Sequence, residues 1–83
     1  MTYNYKTKGV CAREIQINVE NGIVGKVKFV GGCAGNTQGV SRLCEGLTID
    51  EVINRLSGIR CGFKPTSCPD QLATALIEIK QKI

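Results

Sequence analysis

From residue 13 to residue 20 apolar and polar side chains alternate, with Ile15, Ile17 and Val19 on one side and Glu14, Gln16, Asn18 and Glu20 on the other. A period of two places these sets on opposite faces of a β-strand. Glu20 leads into Asn21-Gly22, a dipeptide that supplies the positive-φ residues of a type I′ turn. The stretch from Ile23 to Val30 then reads as the return strand, with Val27 and Phe29 inward between Lys26 and Lys28. Residues 3 to 9 also alternate, and add a further strand. Three antiparallel strands in a meander follow from this pattern.

The second half of the chain has a different period. A first helix is expected from about Thr37 to Glu45, with Val40, Leu43 and Cys44 inward and Gly46 as its stop. Thr48 with Glu51 forms a capping-box signature for a second helix that runs through Leu56 and closes at Ser57-Gly58. Residues 59 to 66 read as irregular. The last helix opens at Ser67-Cys68-Pro69-Asp70, with Ser67 or Cys68 as cap and the proline suited to the first helical position. Leu72, Leu76, Ile79 and Ile83 recur at helical spacing as its buried stripe. Strands followed by helices are the α+β signature. The expected architecture is one domain over 1–83: a three-stranded antiparallel sheet followed by three helices packed on one face.

Composition narrows the chemistry. The chain has 83 residues, five cysteines and no histidine or tryptophan. Without histidine there is no Ser-His-Asp or Cys-His pair, no histidine-ligated zinc and no histidine pH switch. The net charge of +4 is spread over scattered lysines and arginines, and only four aromatic residues accompany them. That is a poor footprint for nucleic acid, and no nucleic-acid partner is expected. The first thirty residues hold no apolar signal segment, and no stretch is long enough to span a membrane. The expected location is the cytoplasm, where cysteines stay reduced and a disulfide framework does not form.

Function therefore runs through the cysteines. Cys11 follows the first strand, Cys33 sits in a glycine loop between sheet and helix, and Cys68 opens the last helix. Backbone N–H groups and the helix dipole at such places favour the thiolate, the form that binds metals and attacks electrophiles. Cysteine is also among the most buried residue types and often only fills volume. Cys44, on the apolar face of a helix, reads as such a filler. Cys11, Cys33, Cys61 and Cys68, in glycine or cap contexts, read as ligands or reactive thiols. No C-x-x-C spacing is present. The Gly31-Gly32-Cys33-Ala34-Gly35-Asn36 loop has two readings: a tight turn that presents Cys33, or an anion cradle in which Gly31, Gly32, Gly35 and Asn36 hold a phosphate.

The string Thr66-Ser67-Cys68-Pro69-Asp70 resembles the TSCPD-domain family, named for that pentapeptide. Gly9-Val10-Cys11, the glycine loop around Cys33 and Cys61-Gly62 are also similar to its pattern, so the resemblance covers nearly the whole chain. The domain occurs at the C-terminal end of some adenosylcobalamin-dependent ribonucleotide reductases and as small free-standing proteins, which this chain resembles. The resemblance implies four candidate metal ligands, Cys11, Cys33, Cys61 and Cys68, and leaves Cys44 outside the pattern. A more distant likeness, carried by Cys11, the hairpin, Phe29-Val30-Gly31-Gly32-Cys33, the helix start at Gly46-Leu47-Thr48 and Cys68, is to NifU-like iron–sulfur scaffolds. Those proteins hold a cluster or zinc on three cysteines. Here the histidine that precedes the last of them is missing.

A chain of this size lacks the barrel and radical cofactor that ribonucleotide reduction needs, so the reductase connection implies an accessory role. Three readings follow. The first is a thiolate module for zinc or an iron–sulfur cluster, accessory to a ribonucleotide reductase or another redox protein. The second is a dithiol redox partner of a ribonucleoside-diphosphate reductase. The third is a nucleotide- or flavin-binding homodimer that uses the Gly31 to Asn36 loop.

Overall fold

The structure, a computed structural model, describes residues 1–10, 12–31, 34–60, 62 and 65–82, with the backbone alone at 34–36. Three strands, β1 (Thr2–Lys6), β2 (Ala12–Glu20) and β3 (Ile23–Gly31), form one antiparallel sheet in the order β1-β2-β3. Three helices follow: α1 (Ala34–Cys44), α2 (Ile49–Leu56) and α3 (Cys68–Lys82). This is the expected α+β arrangement. The Asn21-Gly22 turn has φ values of 53° and 77°, both left-handed, as a type I′ hairpin requires. β1 stops at Lys6, short of the expected end, because the Thr7 hydroxyl donates to the Ala12 carbonyl and Gly9 turns the chain at a φ of 70°.

Ile15 and Ile17 are fully buried on the inner face, opposite Phe29 and Val27. Two register shifts interrupt the ladder, between Ala12 and Glu14 and between Ile17 and Val19. At the second shift one residue of β2 opposes two of β3, so Gly25 and Lys26 together face Asn18. The extra residue reverses the pleat, and Val24 and Val27 are both buried although they are three apart. Strict alternation would have turned Ile23 inward instead, yet Ile23 is exposed. On β2 the same device at Arg13 and Glu14 buries both Ala12 and Ile15.

The helices bury their apolar stripes against that inner face. The largest side chains wholly withdrawn from water are Ile15, Ile17 and Val24 from the sheet and Val52, Leu72 and Leu76 from the helices. Burial of a side chain of this size contributes about 1.5–3 kcal/mol. Ile79 completes the α3 stripe, and Ile83 lies outside the described residues. Thr48 caps α2 as expected, with its hydroxyl accepting from the Glu51 N–H at 3.1 Å and lying 3.2 Å from the Glu51 carboxylate.

Helix α1 departs from expectation in two ways. It starts at Ala34 rather than Thr37, taking Gly35 and Asn36 into its first turn. The N–H groups of a first turn have no intrahelical partners in any case, so the chain can enter the helix through these small residues. Its inward stripe is Thr37, Val40, Ser41 and Cys44, which leaves Leu43 78% exposed instead of buried. Leu43 stands about one hundred degrees round the helix from Cys44, at the rim of a groove shared with Leu47 and Leu56.

Candidate functional site

Cys68 is the first residue of α3, a free and half-buried thiol. Its neighbours in the pentapeptide form a hydrogen-bonded clamp around it. Ser67, 4% exposed, is the helix cap: its hydroxyl accepts from the Asp70 N–H at 3.2 Å and donates to the Ile59 carbonyl at 2.6 Å. The Asp70 carboxylate accepts from the Gly58 N–H at 2.7 Å and from the Thr66 hydroxyl at 2.5 Å. Gln71 donates to the Thr66 hydroxyl at 3.0 Å, and its carbonyl oxygen accepts from the Lys8 N–H at 3.1 Å. The pentapeptide and the Gln71 that follows it thus tie the start of α3 to the end of α2 and to the β1–β2 connection.

These bonds gather chain segments that bracket the candidate cysteines. Lys8 and Gly9, held against Gln71 and Thr66, precede Cys11. Ala12, which follows Cys11, pairs with Gly31, which precedes Gly32 and Cys33. Ile59, bonded to Ser67, precedes Cys61. All of these described residues lie at the end of the sheet remote from the hairpin. At the hairpin end the Ile49 N–H donates to the Gly22 carbonyl, and Lys80 near the end of α3 pairs with Asp50. Helix α3 therefore runs from the end that bears Cys68 to the hairpin end.

Of the expected ligands, Cys68 is placed at this end, and Cys11, Cys33 and Cys61 lie outside the described residues, as does Gly32. Gly31 is exposed at the end of β3 with a φ of 84°, and Gly35 and Asn36 belong to the first turn of α1. Among the described residues no group of three or more His, Cys, Asp or Glu side chains suits a metal ion. The donor chemistry is nevertheless coherent. Both oxygens of Asp70 are engaged by the clamp, so what the pentapeptide has to offer a metal is the sulfur of Cys68. A set of four cysteine sulfurs suits zinc or an iron–sulfur cluster.

Cys44 is different. It is 4% exposed in the core, and burial pushes its thiol pKa up, against a smaller opposing effect of the Arg55 charge. A thiol so placed stays protonated and unreactive at neutral pH, as expected of a packing residue. The roles of Asp70 and Gln71 have no local signal in the sequence, because their partners Gly58 and Lys8 are remote from them along the chain.

No helix among the described residues is long and apolar enough to cross a membrane. Residues 1–80 match the family model described as the TSCPD domain. No curated protein and no solved structure matches the chain, so the likeness to NifU scaffolds rests on motif order alone.

Proposed function

We propose, on the premise that the chain belongs to the TSCPD-domain family, that it is a thiolate metal-binding module in which Cys11, Cys33, Cys61 and Cys68 hold zinc or an iron–sulfur cluster. The observation that carries the reading is the clamp, which ties the segments leading to Cys11 and Cys61 to the helix start that bears Cys68, together with the Ala12–Gly31 pair, which sets the chain after Cys11 beside the chain before Cys33. A metal held there would cross-link four separate segments, and an iron–sulfur cluster would in addition carry electrons. Metal binding of this kind is folding free energy, which matters in a chain too short to bury a large core. The family is associated with ribonucleotide reductases, and the module serves such an enzyme, or a similar redox system, as an accessory.

The test is elemental analysis together with an absorbance spectrum of protein purified without oxygen. The reading expects either stoichiometric zinc and no colour, or iron and sulfide with broad visible bands. Metal-free protein that takes up neither zinc nor a reconstituted cluster overturns it, and a two-band flavin spectrum points to the small-molecule alternative.

A further inference from the structure

We propose that the free edge of β3, with α1 beside it, takes up an extended acidic peptide segment as a fourth strand of the sheet. The argument starts from Val19, whose N–H donates to the Met1 carbonyl at 2.8 Å and whose carbonyl accepts from the Met1 amine at 3.0 Å. In an antiparallel sheet alternate residues turn their backbone groups to opposite neighbours. Ile17 and Ile15 share the parity of Val19, and they pair with Tyr3 and Tyr5 on β1. Their partners on the other side, Val27 and Phe29, therefore direct their own N–H and C=O groups away from β2, out of the sheet.

Val24, opposite Val19, obeys the same rule, and its outward groups are satisfied. Its N–H donates to the Leu47 carbonyl and its carbonyl accepts from the Gly46 N–H, both at 2.8 Å, while Thr48 forms an isolated antiparallel bridge with Ile23. The chain thus begins a fourth strand on this edge and leaves it after one bridge. Among the described residues no backbone group continues that row to Val27 and Phe29. An unpaired edge next to an existing bridge is a template for strand addition.

The groove along this edge has a volume of about 390 Å³ and is walled on the far side by α1. Lys26 and Lys28 stand on its strand side and Arg42 on its helix side, with Glu45 as the one carboxylate lining it. None of these four forms an ion pair among the described residues. Three cations against one anion select an acidic partner. They also disfavour a second copy of the chain, since antiparallel pairing of β3 with β3 sets Lys26 and Lys28 of one copy near those of the other, and like charges across strands repel. Gln38 and Ser41 on the α1 wall supply polar contacts for side chains of the incoming strand.

The experiment measures fluorescence anisotropy of labelled eight-residue peptides, alternating glutamate with valine or aspartate with threonine, on the full chain, alongside amide exchange of the ¹⁵N-labelled protein. At least one acidic peptide binds, a lysine-for-acid counterpart does not, and the Val27 and Phe29 amides gain protection on binding. The Lys26→Glu/Lys28→Glu variant, altered only at exposed positions, loses about tenfold or more in affinity. N-methylation of alternate peptide amides abolishes binding in the register that faces β3 and spares it in the other. The proposal is overturned if neither acidic peptide binds, or if both methylation registers bind equally. It is also overturned if inorganic polyphosphate or duplex DNA displaces the peptide as well as unlabelled peptide does, or if sedimentation shows a dimer that protects Val27 and Phe29 without peptide.

Discussion

The side-chain carbonyl of Gln71 accepts a hydrogen bond from the backbone N–H of Lys8 at 3.1 Å, joining residues 63 positions apart. Gln71 is buried in the first turns of α3, and Lys8 lies in the short connection that leads to Cys11. The contact holds together two segments that no secondary-structure ladder connects. With the Asp70 bonds to Gly58 and Thr66 it makes the start of α3 the hub on which the end that bears Cys68 is built.

Removal of that hub is expected to weaken the fold and the site together. Asp70→Ala deletes a carboxylate that accepts two hydrogen bonds, a loss of about 1–3 kcal/mol that urea denaturation will read. Gln71→Ala leaves the Lys8 N–H without its partner. Both variants should speed amide exchange at Lys8 and Gly58 while leaving the hairpin around Asn21 unchanged. Unaltered exchange at those two amides would show that the clamp does not organise this end.

Cys44 is expected to matter for stability and not for metal. Cys44→Ala should cost about 1 kcal/mol in denaturation and leave metal content as it was.

The buried thiol also sets a pH dependence. Its pKa is raised in the folded chain above the ordinary value of 9.0, chiefly by burial. The unfolded chain therefore gives up that proton first as pH rises, and folding stability falls through the alkaline range, from the ordinary thiol pKa up to the folded one. Tyr5, raised from 10.0 by burial and by the charges of Glu78 and Asp70, acts in the same direction at higher pH. Denaturation midpoints from pH 7 to 10 should decline in the natural chain and decline less in Cys44→Ala. Parallel profiles would show that Cys44 ionises alike in both states.

At the β3 bulge, a Cβ on Gly25 would lie 2.7 Å from the Asn18 side-chain oxygen and 3.4 Å from the Asn18 carbonyl. Gly25→Ala therefore forces the Asn18 side chain aside, at a cost of about 0.5–1.5 kcal/mol. In an Asn18→Ala background most of that cost should vanish. A double-mutant cycle measures the coupling directly, and additive effects would locate the strain elsewhere.

What was legible in the sequence was what depends on near neighbours. Ile15, Ile17 and Val19 announced their strand by alternation, Asn21-Gly22 its turn, and Thr48 with Glu51 its helix cap, each within a few residues. The bulges were not legible, because they are set by how β2 and β3 pair, and Arg13 carries no local mark of the extra residue. Leu43 is exposed rather than buried because two overlapping helical stripes share Val40 and Cys44, and the sheet selects between them. The cysteines and their glycine settings were visible as a motif. The clamp was not, since Gln71 finds its partner in Lys8 and Asp70 finds one in Gly58, both remote in sequence.

The central claim, that four of the five cysteines hold a metal and the fifth does not, is tested most directly by the metal content per chain of five single Cys→Ser variants, each purified without oxygen beside the natural protein. The account predicts stoichiometric zinc or iron in the natural chain, retention in Cys44→Ser, and substantial loss in Cys11→Ser, Cys33→Ser, Cys61→Ser and Cys68→Ser. Full retention in Cys68→Ser, or loss in Cys44→Ser comparable to the others, would contradict it.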